Sequence, residues 1–165
     1  MIECPFEAKI PMFRRILVPV DYSENSKASV RFAAELAKTL GSTLDVVHVW
    51  DKPTYVSDAV MVRRDGQEHC SLAELIRESA ERDMTEFLAD VALPPTLSLT
   101  HRLLSGEPAS TLVSELKQGN HDLVIVGTHG RTGLSHMLLG SIAEKLIRLS
   151  PVPVLTCPPK REAEA

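Results

Sequence analysis

Val124-Ile125-Val126-Gly127-Thr128-His129-Gly130, followed after nine residues by Gly140-Ser141 at the head of an apolar-periodic segment, carries most of what can be read about this fold. A short, continuously apolar run of this kind suits a strand buried on both faces, and such strands belong to parallel sheets covered by helices. Glycines at 127, 130 and 133 let the backbone come close to a bulky anion, and a helix opening at Ser141 offers unpaired N–H groups with partial positive charge. Strand, glycine loop and helix start, in that order, are the setting of a phosphate cradle. Spacing alone leaves ordinary turn glycines as an equal alternative.

Working outward, Arg15-Ile16-Leu17-Val18-Pro19-Val20-Asp21 is a second run of the same type. Ser23 reads as the N-cap of a helix to about Leu40, with Val30, Ala33, Leu36, Ala37 and Leu40 on one face and Gly41 as its stop. Leu44 to Trp50 is the next strand. Residues 51–70 show neither period and, with Pro53, Asp58, Asp65 and Gly66, read as a long excursion. Ser71-Leu72-Ala73-Glu74 has the form of a capping box, and Leu72, Leu75, Ile76, Met84, Phe87, Leu88 and Val91 follow at helical spacing. Beyond Pro94-Pro95, Leu97, Leu99, His101 and Leu103 alternate with polar residues, as on a strand near a sheet edge. Pro108 suits the first turn of a helix carrying Leu112, Val113 and Leu116 and closing at Gly119-Asn120. After the glycine loop come a helix from Ser141 to about Leu149 and a last strand from Pro151 to Cys157.

Strands alternating with helices predict one doubly wound α/β domain, a five-stranded parallel sheet with right-handed crossovers and helices on both faces. Ligands in such sheets bind beyond the carboxyl ends of the strands, where strand order reverses. Asp21 and Gly127 end the first and fourth strands. With those strands adjacent the order is 3-2-1-4-5, and both residues face one crevice.

The composition is that of an ordinary folded domain: 165 residues, 44% hydrophobic and 24% charged. A net charge of −4 supplies no general attraction for nucleic acid, so an anionic ligand needs local donors. Cys4, Cys70 and Cys157 are odd in number and widely spaced, which suits reduced thiols and the cytoplasm. The first residues carry an early acid and a proline where an export signal needs a basic and then apolar stretch, and no run reaches the ~18 apolar residues of a membrane span.

Asp21 has two readings, a turn aspartate before a helix or a carboxylate that accepts two sugar hydroxyls. Ser141 with Glu144 predicts a second capping box, and the same hydroxyl could serve a phosphate oxygen instead. Arg131, inside the glycine loop, could meet phosphate or simply be solvated. His129 has no carboxylate close in sequence to orient it as a base, and the remaining histidines show no zinc-ligand spacing with the cysteines, so no structural metal is expected. The Gly-x-x-x-x-Gly-Lys-Ser/Thr loop, the Gly-x-Gly-x-x-Gly turn and the Gly-x-Ser-x-Gly elbow are all missing, and absence of the first argues against brisk phosphoryl transfer by the P-loop route.

From about Arg14 to Pro158 the chain resembles the universal stress proteins, whose nucleotide-binding signature is Gly, two residues, Gly, nine residues, Gly-Ser/Thr. The resemblance is carried by Val18-Pro19-Val20-Asp21-Tyr22-Ser23, His48-Val49, Gly106, the glycine signature and the Pro151-Val152-Pro153-Val154-Leu155 ending. Members with the full signature bind ATP and a second class without it does not. The resemblance therefore implies ATP as the ligand, with magnesium or another divalent cation on its phosphates. It places Pro19, Val20, Asp21, Val49, Val126, Gly127, Gly130, Arg131, Gly140, Ser141, Ile142 and Ala143 at the nucleotide. Asp21 would take the ribose hydroxyls, Val20 and Val49 would surround adenine, and Ser141 with the backbone at Ile142 and Ala143 would meet the phosphates.

The resemblance also implies a domain over residues 13–159, a C-terminal tail at 160–165, and either an N-terminal extension at 1–12 or a true start at Met12. Family members dimerise by antiparallel pairing of the last strand, here residues 152–157, across a two-fold axis. Pro151 and Pro153 lack donors, so the outer edge is expected to be theirs, with Val152, Val154 and Thr156 pairing inward and Leu155 and Cys157 outward. The implied function is a nucleotide-dependent sensor or regulator in the stress response acting on an unidentified protein partner. A slow ATPase or self-phosphorylating protein, and a nucleotide-free dimeric scaffold, stand as alternatives.

Overall fold

The structure is a computed structural model that describes residues 13–50, 61–62, 70–128 and 139–159. Its strands are β1 (Arg15–Val20), β2 (Thr43–Trp50), β3 (Met61–Val62), β4 (Cys70–Ser71), β5 (Leu99–Ser105), β6 (Leu123–Gly127) and β7 (Val154–Cys157). The helices are α1 (Glu24–Leu40), α2 (Leu72–Val91), α3 (Pro108–Lys117) and α4 (Ser141–Leu149). Five strands form one parallel sheet in the order β5-β2-β1-β6-β7, which is 3-2-1-4-5 when those five are numbered along the chain. The short β3 and β4 pair antiparallel and apart from it. Of the 51–70 excursion, only Met61, Val62 and Cys70 fall within the described residues.

The doubly wound sheet explains the long apolar runs in β1 and β6. In β1, Ile16 and Val18 pack under α1 and α2 with Val30, Val46, Met84 and Phe87, while Leu17 faces the opposite layer with Val47, Leu112, Leu116, Val124 and Leu146. Side chains alternate between faces and both faces are covered, so no position is left for a polar residue to face water. Burying each large aliphatic side chain contributes about 1.5–3 kcal/mol. Among the described residues, no helix is long and apolar enough to cross a membrane.

The helix limits follow from local chemistry. The Ser23 hydroxyl accepts from the Ser26 N–H to open α1, and Gly41, at φ 68°, closes it in a conformation that costs glycine little. The buried apolar stripe of α1 is Val30, Ala33, Ala34 and Ala37, and the expected Leu40 is 40% exposed. The Ser71/Glu74 capping box is formed in both directions. At α3 the cap is Glu107, whose carboxylate accepts from the Ala109 and Ser110 N–H groups. Those bonds, chiefly from Ser110, hold its carboxyl down to about 2.

At β7 the sequence expectation is reversed. Val124 N–H donates to Pro153 C=O at 3.0 Å and Thr128 N–H to Cys157 C=O at 2.9 Å. A strand residue's N–H and C=O point to one side and alternate along the chain, so Pro153, Leu155 and Cys157 face β6, and Val152, Val154 and Thr156 face the outer edge. Proline lacks only the donor. Here β6 uses the carbonyl of Pro153, so the ring is tolerated on the inner side, and the regular strand starts at Val154 instead of Pro151.

Candidate functional site

A cavity of about 330 Å³ opens beyond the carboxyl ends of β1, β2 and β6, against the first turns of α3 and α4. Its size falls in the roughly 300–1,000 Å³ range of small-molecule sites. Pro19, Val20, Asp21, Val49, Val126, Gly127, Gly140, Ser141, Ile142 and Ala143 all line it. Gly130, Arg131, Gly133 and His129 lie outside the described residues. The cavity is also lined by Ser26, Val47, His48, Pro108 and Leu112, which the sequence reading did not place there. Val47 shares its strand face with Val49, and Leu112 lies one turn from Pro108, so strand and helix periodicity could have pointed to both.

Asp21 follows the last residue of β1 and opens the turn into α1. Its Oδ1 accepts from the Ser23 N–H at 3.1 Å, from the Ser23 hydroxyl at 2.6 Å, and from the Ser26 hydroxyl. Its own N–H donates to Ser26 Oγ at 3.1 Å. Asp21 thus acts as a turn aspartate, as one of its two readings held, and its carboxylate is held in place at the cavity wall. The next residue, Tyr22, has φ 65°, a left-handed conformation that is rare for a bulky side chain. The Tyr22 ring stacks on His48 with centroids 4.2 Å apart. Burial first, and the charge of Asp83 second, push the Tyr22 hydroxyl above the ordinary phenol range.

The start of α4 corrects a second expectation. Ser141 is the first helical residue and Gly140 the cap, so the Ser141–Glu144 box does not form; no side-chain hydrogen bond caps this helix. Glu144 N–H instead donates to Gly140 C=O at 2.9 Å as an ordinary helical bond. Capping requires the hydroxyl one residue earlier, outside the helix, and glycine occupies that place. The opening of α4 therefore presents backbone N–H groups and the exposed Ser141 to the cavity, an arrangement suited to an anion. Gly140 N–H donates to Thr128 C=O at 2.7 Å, which ties the two ends of the glycine loop together at the cavity mouth.

The walls thus offer three chemistries in sequence. Val47, Val49, Leu112 and Val126 form an apolar surface, Asp21 supplies a carboxylate, and the α4 start supplies backbone donors.

Residues 12–158 match the sequence profile of the Universal stress protein family. A universal stress protein of Methanocaldococcus jannaschii is 29% identical over 152 residues, covering 92% of this chain and 86% of that one. The solved universal stress protein UspA from Lactobacillus plantarum superposes with a TM-score of 0.68 at 25% identity, over 87% of this chain and 97% of that one. The universal stress protein from Archaeoglobus fulgidus solved in complex with dAMP superposes with a TM-score of 0.60 at 21% identity, over 88% and 98% of the two chains. With the profile spanning nearly the whole chain and the sheet order matching, this chain belongs to the universal stress protein family.

Proposed function

We propose that this protein binds ATP in the cavity beyond β1, β2 and β6 and acts as a nucleotide-dependent regulator. The supporting observation is the meeting of Asp21 and the uncapped start of α4 on one cavity with an apolar wall. Adenine lies against Val20, Val49 and Val126, the ribose hydroxyls donate to Asp21, and the phosphates meet Ser141 and the backbone of Gly127, Gly140, Ile142 and Ala143. Gly130 and Arg131 complete the cradle from the loop, and a divalent cation rides on the phosphates. The dAMP-bound relative shares the fold alone, so the reading rests on the residues of this chain.

Asp21→Ala separates the two roles of the carboxylate. Calorimetric titration is expected to show ATP affinity reduced by the ~1.5–3 kcal/mol typical of hydrogen bonds to a charged group. Loss of the turn and cap bonds should lower stability by about 1 kcal/mol as well. A lower melting temperature with unchanged affinity would leave Asp21 a turn residue and sink the ribose assignment.

The same reading includes a homodimer formed along β7, one of the two edge strands of the sheet. An unpaired apolar edge is an aggregation hazard, and pairing with a second copy removes it. The outer-edge donors are Val154 and Thr156, so Thr156→Pro is expected to give monomer by light scattering. Leu155→Pro should instead disturb the β6–β7 ladder and lower thermal stability. A Thr156→Pro protein that stays dimeric at low concentration would move the interface elsewhere.

A further inference from the structure

His48 stands opposite Val20 in the parallel β1–β2 ladder, and its Nδ1 lies 2.8 Å from the Val20 carbonyl oxygen. A carbonyl only accepts, so Nδ1 carries a proton and donates. The same imidazole stacks on Tyr22, ring planes 26° apart. One side chain therefore holds the residues on both sides of Asp21. Strain of the kind seen at Tyr22, φ 65°, persists only where the surroundings over-determine it. Here they do: besides the His48 stack, the Tyr22 ring meets Phe87 of α2 at 5.4 Å and its hydroxyl donates to Ala80 C=O at 3.4 Å. Val47 and Val49 pack in the layer under α3 and α4, so the His48 ring lies on the opposite face, beside Tyr22 and the α2 layer.

We propose that His48 is a positioning residue for Asp21: by clamping Val20 and Tyr22 it fixes the carboxylate where ribose hydroxyls can reach it, and so sets the preference of the site for a hydroxylated sugar. This rests on the reading of the cavity as an ATP site. An acceptor must be held within a fraction of an ångström to discriminate between ligands that differ only in a donor, and the serine bonds to Asp21 come from residues that follow it in the chain. His48 supplies the constraint from the other strand.

The test compares ATP with 2′,3′-dideoxyATP by calorimetric titration, the ratio of the two dissociation constants being the readout. A role confined to stability would not move this ratio. The native chain is expected to favour ATP roughly tenfold or more. In His48→Phe, which keeps a ring for the stack but loses the donor, ATP binding should weaken and dideoxyATP binding hold, bringing the ratio toward one. His48→Asn, whose amide nitrogen sits near the place of Nδ1, should recover part of it. Tyr22→Gly tolerates the positive φ while removing the stacked ring, and should also lower the ratio. A His48→Phe or Tyr22→Gly protein, shown folded by circular dichroism and keeping the native ratio, overturns the proposal. A native chain that binds both nucleotides equally overturns it at Asp21, and one that gives no saturable ATP binding overturns the ATP reading and this inference together.

Discussion

Replacing Gly140 with valine is expected to weaken ATP binding on the order of 100-fold, the ~2–3 kcal/mol of forcing a side chain into occupied space. Stability should change far less. Gly140 has φ −57° and ψ 143°, a conformation open to any residue, so the backbone does not require glycine there. What glycine leaves is room at the cavity wall, beside the N–H groups that open α4. Valine is a poor N-cap, but no side-chain cap exists to be lost, and the penalty should stay near 1 kcal/mol. Calorimetric titration beside a thermal melt checks both halves. A stable Gly140→Val protein with native affinity would take the phosphates away from this helix.

Asp45→Ala is expected to cost about 3 kcal/mol of stability, a fall in melting temperature of roughly 10 °C, because it strands groups that the carboxylate satisfies. Asp45 sits in β2 with no exposed surface. Its carboxylate accepts from His121 Nε2 at 2.9 Å, from the Thr100 hydroxyl at 3.0 Å, and from Arg102 Nε at 3.1 Å. Arg102 also donates to Glu115 at 2.7 Å. Burial would raise the Asp45 carboxyl, but the bonds from His121, Arg102 and Thr100 and the Arg102 charge outweigh it and hold the group below the usual carboxylate range. A carboxyl depressed in the folded state contributes fully above its unfolded value of about 3.9 and loses that contribution as pH falls toward the folded value. Native melting temperature should therefore drop below about pH 4, and Asp45→Ala should show a shallower drop over the same interval. Equal melting curves for the two proteins across that range would contradict the account.

The strand order was legible because burial on both sheet faces leaves a simple mark, the unbroken apolar runs at Ile16 and Val124. The convergence of Asp21 and Gly127 on one cavity followed from topology: adjacent parallel strands put their carboxyl ends on the same side. Edges and caps were harder. Ser141-x-x-Glu144 has the letters of a capping box, but a one-residue shift in the helix start makes its serine the first helical residue. Glu107 caps α3 although glutamate is not among the residues favoured for that place. The side of β7 that faces β6 could not be read from Pro153, because its ring removes a donor and says nothing about its carbonyl. His48 and Tyr22 were invisible as a pair, being 26 positions apart in the chain and joined only by the β1–β2 register.

The central claim, that the cavity holds an adenine nucleotide, is tested most directly by calorimetric titration of magnesium-ATP into nucleotide-stripped native protein. The account expects saturable binding at one site per chain. A flat titration from folded protein would contradict it.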